Sequence, residues 1–280
     1  MTTPLPPSDL LALSSTSAFQ PLPPHILVRV LSHPPFVSVP GTFNTRDLGL
    51  VPGSRLKPGL FFRTGSLAGL TDEGKRVLRE EMGIRTIYDL RSVAEHAAQP
   101  DPEIDGVRVL WEESKEEKAT AELGEFCEGE GEVGYEGMYL GVLEMYKQGL
   151  RGMLEGAMTK EGGLLVHCSA GRDRTGIASA MLLALAGTDA ETIELDYMLS
   201  RIGTEAAREI LMGFALKGSG AASVDTPGFR NMCELRVSCW RRFVRGLERE
   251  FGGWEGYVTG TLGFSGEELE VIKRNLTRDD

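Results

Sequence analysis

His167 and Cys168 close a short apolar run, "LLVH" at 164–167. Ser169, Ala170, Gly171, Arg172, Asp173, Arg174 and Thr175 follow before a longer apolar run begins at Ile177. This pattern reads as a strand ending at His167, a loop from Cys168 to Arg174, and a helix from Thr175 to about Ala186, with Gly187 at its C-cap. A loop that feeds a helix N-terminus aims several backbone N–H groups at one spot, where the helix dipole also favours an anion. The same field favours a thiolate at Cys168, the form in which cysteine is a nucleophile. Arg174 can return across the loop and offer a two-pronged guanidinium to phosphate oxygens. Gly171 allows the tight turn, and the Thr175 hydroxyl can donate to the sulfur. A cysteine beside a strand is ordinarily a core residue. Set among these neighbours, Cys168 points instead to nucleophilic attack on a phosphate ester.

Cys-x5-Arg-Thr preceded by His resembles the active-site loop of cysteine-dependent phosphatases. His167 is expected to orient the loop through hydrogen bonds rather than act as a base, because a thiolate needs none. Many tyrosine phosphatases take their general acid from an aspartate on a separate loop upstream, but no aspartate occurs between Gly106 and His167. Asp173, inside the loop, is the candidate acid and base. The alternatives are a structural carboxylate that braces the loop, or one of the intervening glutamates as the acid.

Four short runs rich in β-branched or aromatic residues can supply strands: 60–63, 84–90, 107–111 and 164–167. Helical periodicity fills the spaces. "TDEGKRVLREEMG" opens on a capping Thr71 and ends at Gly83, and the segment 135–158 puts Met138, Val142, Met145 and Leu150 near one face. Near the C-terminus Trp240, Phe243, Val244, Leu247 and Phe251 recur at helical spacing, and Ser265 with Glu268 forms a capping-box pair. The expected fold class is α/β: a central, mostly parallel sheet of about four or five strands flanked by helices, with further helices over the last eighty residues. Nine of the fourteen prolines lie in the first forty residues. Residues 1–35 therefore read as a loosely packed extended tail with one short helix around Ile26 to Leu31, and 36–280 as the catalytic domain. A partner domain that reads proline-rich segments is the alternative role for the tail.

The formal net charge of −11 argues against a nucleic-acid partner. From Glu112 to Glu136 ten glutamates face two lysines, so most of that charge sits in one segment, expected to be a solvated loop. A locally basic pocket elsewhere remains compatible with the remainder. Four cysteines form neither a disulfide framework nor a zinc spacing. No metal or other cofactor is expected. The N-terminus lacks the features of a secretory signal, and no apolar run reaches membrane-spanning length, so a cytoplasmic protein is expected.

"HCSAGRDRTG" resembles the "HCxAGKDRTG" loop of an atypical tyrosine phosphatase family, found in secreted enzymes of mycobacteria and Listeria and in many fungal proteins. "FNTRDLG" (43–49), "LFFRTGSLAGLTDEGKRVL" (60–78), "GIRTIYDLRSVAEHAAQPD" (83–101), "IELDYMLS" (193–200) and the C-terminal stretch from Gly256 extend the likeness over about 40–280. The resemblance implies phosphotyrosine hydrolysis through a cysteinyl-phosphate intermediate without a metal, with the loop aspartate, Asp173, as acid. It also implies a supporting role for Asp89 at the end of a neighbouring strand, and a helical lid supplied by the 204–251 segments. Arg91 and Glu95 are expected to form a helical i, i+4 ion pair, and Arg46 and Asp47 to pin a turn, with a place near the pocket as their alternative. Arg172 stands where the family has lysine, a residue associated there with phosphoinositide hydrolysis. Three readings therefore stand: a phosphotyrosine phosphatase, a phosphoinositide or inositol-phosphate phosphatase using the same loop, and an inactive phosphate-binding module. The oligomeric state is not legible.

Overall fold

The strand expected before Cys168 runs from Gly163 to His167 and is buried along its whole length, as a strand covered on both faces must be. A computed structural model describes residues 3–113, 122–159 and 162–279. In chain order the elements are α1 (Pro7–Ser14), α2 (Pro24–Leu31), β1 (Arg46–Asp47), β2 (Phe61–Thr64), α3 (Asp72–Arg76), β3 (Ile84–Asp89), α4 (Val93–Ala98) and β4 (Arg108–Trp111). Then come α5 (Glu132–Met145), α6 (Lys147–Thr159), β5 (Gly163–His167), α7 (Asp173–Leu185), α8 (Ala190–Met198) and α9 (Ser200–Gly203). The chain continues through α10 (Arg208–Ser219), α11 (Phe229–Cys233), α12 (Val237–Phe251), α13 (Gly253–Gly256) and α14 (Gly266–Leu276).

The sheet order is β1-β2-β5-β3-β4, parallel except for the short β1 at the edge. The fold is thus the expected α/β sheet flanked by helices. Thr64, His167, Asp89 and Trp111 pair across the carboxyl ends of the four parallel strands. Loops that leave that edge converge, which is where open α/β sheets place their sites.

One face of the sheet carries the larger core, where Phe61, Tyr88, Leu164 and Val166 meet α5, α6, α7 and α12. The opposite face packs Phe62, Ile87 and Leu165 against Leu67, Val77 and Leu78. Thr71 caps α3 by accepting from the Gly74 N–H, and Ser265 and Glu268 form the expected capping box on α14.

Three expectations change. Residues 1–35 form two helices, not one, and Leu10, Leu22 and Val30 pack on Leu195, Leu199 and Ile202. Arg201, buried, donates to the carbonyls of Thr16, Ser17 and Gln20, while Glu234 accepts from the Ser17 hydroxyl and the Ala18 N–H. The acidic segment 112–136 is not all solvated: Phe126 and Tyr135 are fully buried, because apolar residues between the glutamates reach the core. Residues 114–121 of that segment lie outside the described residues. In the stretch expected to form a lid, α12 buries Trp240, Phe243 and Leu247 and is a core helix, whereas α10 has no buried residue.

Candidate active site

Cys168 follows directly on β5 and is almost fully buried. The loop behind it closes because its carbonyls are drawn backwards. The Asn44 side-chain amide donates to the carbonyl of Gly171 (2.8 Å) and more weakly to that of Ala170 (3.3 Å). The Arg63 guanidinium reaches the Gly171 carbonyl at 2.7 Å, and the Ser66 N–H takes that of Ser169 at 3.1 Å. In a trans peptide the C=O and the following N–H point in opposite directions. The N–H groups of Ala170, Gly171 and Arg172 are therefore turned to the opposite side, and none of them donates to a described group. Gly171 has φ +62°, and a Cβ there would lie 2.3 Å from the Thr64 carbonyl oxygen, so the turn admits glycine alone. The result is a ring of free amides at the start of α7, an anion cradle.

Behind the loop sits a fully buried cluster. Asp196 bridges Arg46 (2.7 Å) and Arg63 (2.5 Å), and Arg46 also donates to Asn44 Oδ1 at 2.6 Å. Burial and the neighbouring Arg63 push the Arg46 guanidinium down to about 10, against the pull of Asp196. Burial would raise the Asp196 carboxyl, but the two guanidiniums outweigh it and hold it below the ordinary carboxylate range. Arg46 thus belongs to the floor of the loop, contrary to the expected turn-pinning role. Its neighbour Asp47 does pin a turn, accepting from the N–H groups of Gly49 and Gly59.

In front of the loop stands Arg174. Its Nη1 and Nη2 grip both oxygens of Glu95 at 2.5 and 2.8 Å, and Nη1 also reaches the Leu90 carbonyl and the Tyr146 hydroxyl. Ser169 donates to Glu95 Oε1 at 2.5 Å. Burial opposes ionisation of Glu95, yet Arg174, with Ser169 and the Ser92 N–H, holds its carboxyl well below the usual range. The expected Arg91–Glu95 pair does not form. Ser92 caps α4, so Arg91 precedes the helix and cannot share its i, i+4 face. Arg91 instead binds Asp89 and, at 2.7 Å, Asp101.

Asp89 lies behind the loop rather than in it, at the end of β3. It receives Arg91 and His96 and stands 3.8 Å from His167. Burial alone would raise its carboxyl, but Arg91, His167 and His96 together keep it low. His167 is fully buried, with Nε2 3.0 Å from Asp101. Asp89, Asp101 and His167 are near enough to share a cation, but the Arg91 guanidinium already lies against both carboxylates.

Asp173 is the first residue of α7, its side chain about one quarter exposed, and accepts from Tyr139 (2.7 Å) and from Arg172 Nε (3.1 Å to each oxygen). Arg172 spends its other nitrogens on the carbonyls of Cys233 and Met232. Thr175 Oγ1 is buried without a hydrogen-bond partner among the described residues, so the expected donation to the sulfur is not made here.

A parallel sheet whose central strand ends in a Cys-x5-Arg amide cradle is the framework of a cysteine-dependent phosphatase. The chain belongs to the tyrosine phosphatase family, whose model matches residues 37–278. It is 29% identical over 223 residues to a tyrosine-protein phosphatase of Nostoc commune, covering 77% of this chain and 74% of that protein. It is 30% identical over 191 residues to the triple specificity protein phosphatase PtpB of Mycobacterium tuberculosis, covering 58% and 68%. Among the described residues no helix is long and apolar enough to cross a membrane.

Glu95, Asn44, Arg63 and Asp196 are the site residues that sequence reading missed. Two signals were available: arginine in an otherwise apolar buried strand must have a partner, and the Ser92-x-x-Glu95 capping box places Arg91 outside the helix.

Proposed function

We propose that this phosphatase hydrolyses phosphotyrosine through a cysteinyl-phosphate intermediate, with Cys168 as nucleophile and Asp173 as general acid and then base. The Cys168 thiolate attacks phosphorus, the bond to the phenolic oxygen breaks, and Asp173 gives that oxygen its proton. Water then attacks the phosphocysteine, Asp173 takes a proton from it, and the S–P bond breaks to release phosphate and restore the thiolate. The amides of Ser169, Ala170, Gly171 and Arg172 and the guanidinium of Arg174 hold the equatorial oxygens as charge shifts among them. His167 and Asp89 support the loop through Asp101 and Arg91.

The observation that carries this reading is the grip of Glu95 on Arg174. Glu95 occupies the Nη1–Nη2 end of the guanidinium. The Nε–Nη2 edge remains for two phosphate oxygens, held in place before substrate arrives.

The relative PtpB is named for triple specificity, so phosphoinositides belong in the test. Here the guanidinium of Arg172 is committed to Asp173, Met232 and Cys233, which supports phosphotyrosine over a polyphosphorylated ring. The test is turnover of a phosphotyrosine peptide beside a phosphoinositide panel, with wild type, Cys168→Ser and Asp173→Asn. Peptide turnover is expected to vanish in the first variant and to fall about a hundredfold or more in the second. Faster release from the lipids would transfer the protein to the phosphoinositide reading. No release from either substrate, with phosphate analogues still bound, would leave a binding module.

A further inference from the structure

Asp173 is asked to carry a proton in one step and accept one in the next, so its carboxylate must keep one orientation in both states. Tyr139 on α5 contacts it directly, and Tyr135, one turn earlier, holds the backbone that its partner Arg172 binds. The Tyr139 hydroxyl, fully buried, donates to Asp173 Oδ1 at 2.7 Å and lies 2.6 Å from the Tyr197 hydroxyl on α8. Tyr197 is itself stacked on Trp240 of α12, with ring centroids 4.5 Å apart. The Tyr135 hydroxyl shares its one hydrogen between the carbonyls of Met232 (2.8 Å) and Glu234 (2.6 Å), on either side of Cys233, whose carbonyl receives Arg172. One helix therefore fixes both members of the Arg172–Asp173 pair.

Each hydroxyl carries one hydrogen, which sets the direction of the chain. With Asp173 ionised, Tyr139 donates to Oδ1 and Tyr197 donates to Tyr139. Arg172 Nε is shared equally between the two oxygens, and Oδ1 takes Tyr139 in addition, so Oδ2 is the oxygen left to carry the proton delivered to the leaving oxygen. The same chain persists after the proton leaves. Burial, then Asp173 and Tyr197, push the Tyr139 phenol well above its ordinary value, so it remains a neutral donor throughout. The groups facing this network are Arg172, Tyr135, Cys233 and, from α12, Cys239.

We propose that Tyr139, backed by Tyr197, is the positioning residue that fixes Asp173 with Oδ2 toward the substrate. The proposal rests on the assignment of Asp173 as the acid.

The experiment is a pH profile of kcat and KM on a phosphotyrosine peptide for wild type, Tyr139→Phe, Asp173→Asn and the double variant. Tyr139→Phe is expected to lower kcat about tenfold with KM within about twofold. The carboxylate is present but no longer held in one orientation, so the loss falls on kcat and not on binding. In the Asp173→Asn background the substitution is expected to add nothing. Full additivity of the two losses, or an unchanged kcat, overturns the proposal. Undiminished turnover by Asp173→Asn would instead overturn the acid assignment itself. Tyr197→Phe, which leaves Tyr139 on Asp173 but removes its donor, is expected to lower kcat by less. That variant keeps the test decisive should Tyr139→Phe fold poorly, and an unchanged kcat in it would count against the relay.

Discussion

The phosphate loop is held by ion pairs on both sides, and the two sides are built differently. Behind it, Asp196 bridges Arg46 and Arg63 with all three side chains essentially sealed from water. In front, Glu95 and Arg174 form an equally short pair, with 34% and 18% of their side chains exposed. The rear cluster binds the loop through carbonyls, and those bonds decide where the amides point. The front pair touches the loop through one serine hydroxyl and presents a guanidinium edge outwards. Buried charges with no access to water cannot be released cheaply, so the rear cluster is scaffold. Charges that keep some solvent can exchange partners, so the front pair suits a site that must receive and release an anion.

The largest effect expected from this difference is on stability. Asp196→Ala leaves two guanidiniums buried without a counter-charge, which costs about 3–5 kcal/mol. Thermal melts should show Tm lower by about 10 °C. A change within experimental scatter would mean that water reaches the cluster and would erase the distinction from the front pair.

The same cluster sets an acid limit. The Asp196 carboxyl is lowered in the fold relative to the unfolded chain, where it lies near about 3.9. Its contribution is therefore fully present above that value and is lost as pH falls below it. Urea midpoints followed from pH 6 down to about pH 3 should hold until about pH 4 and then drop. A midpoint that began to fall well above that range would point to other groups, such as a histidine, as the limiting site.

At the front the expected loss is catalytic. Glu95→Gln keeps the shape but gives up the charge that orients Arg174, and kcat/KM should fall about tenfold. The partly exposed pair is screened, so stability should change by less than about 1 kcal/mol. An increase in phosphate-ester affinity would show that Glu95 competes with substrate for the guanidinium rather than holding it ready.

This division explains which parts were legible in the sequence. Cys168 and Arg174 lie in one uninterrupted stretch with Gly171 and Thr175, and a contiguous loop can be read from spacing alone. The four parallel strands were likewise marked by local runs of β-branched and aromatic residues. β1 was not, because two residues have no periodicity and only pairing with β2 makes them a strand. Arg46 and Asp196 are separated by 150 positions, and nothing local in either segment names the other. The docking of residues 7–31 was hidden for the same reason: prolines at Pro6, Pro7, Pro23 and Pro24 look like breakers, yet they stand at or beside the first turns of α1 and α2, where proline is favoured. Glu95 was misassigned because Arg91 was placed inside a helix that starts two residues later, a small error with a large consequence for the site.

Ser169→Ala should produce the smallest change and sharpen the comparison most finely. Among the described residues its hydroxyl is the bond that ties Glu95 to the loop ahead of Arg174, whereas the rear cluster has Arg63 on the Gly171 carbonyl and Asn44 on two. Removing it leaves Glu95 bound to Arg174 and to the Ser92 N–H, so the carboxylate stays in place. The expected loss in kcat/KM is about twofold to threefold, with Tm unchanged, because one hydrogen bond among several is given up at a partly solvated group. In a double-mutant cycle with Glu95→Gln the serine substitution should add little, since its only side-chain partner has already lost the charge it stabilises. A loss as large as that of Glu95→Gln itself would mean that the hydroxyl acts on the phosphate directly. The loop would then be read by its side chains as well as by its amides.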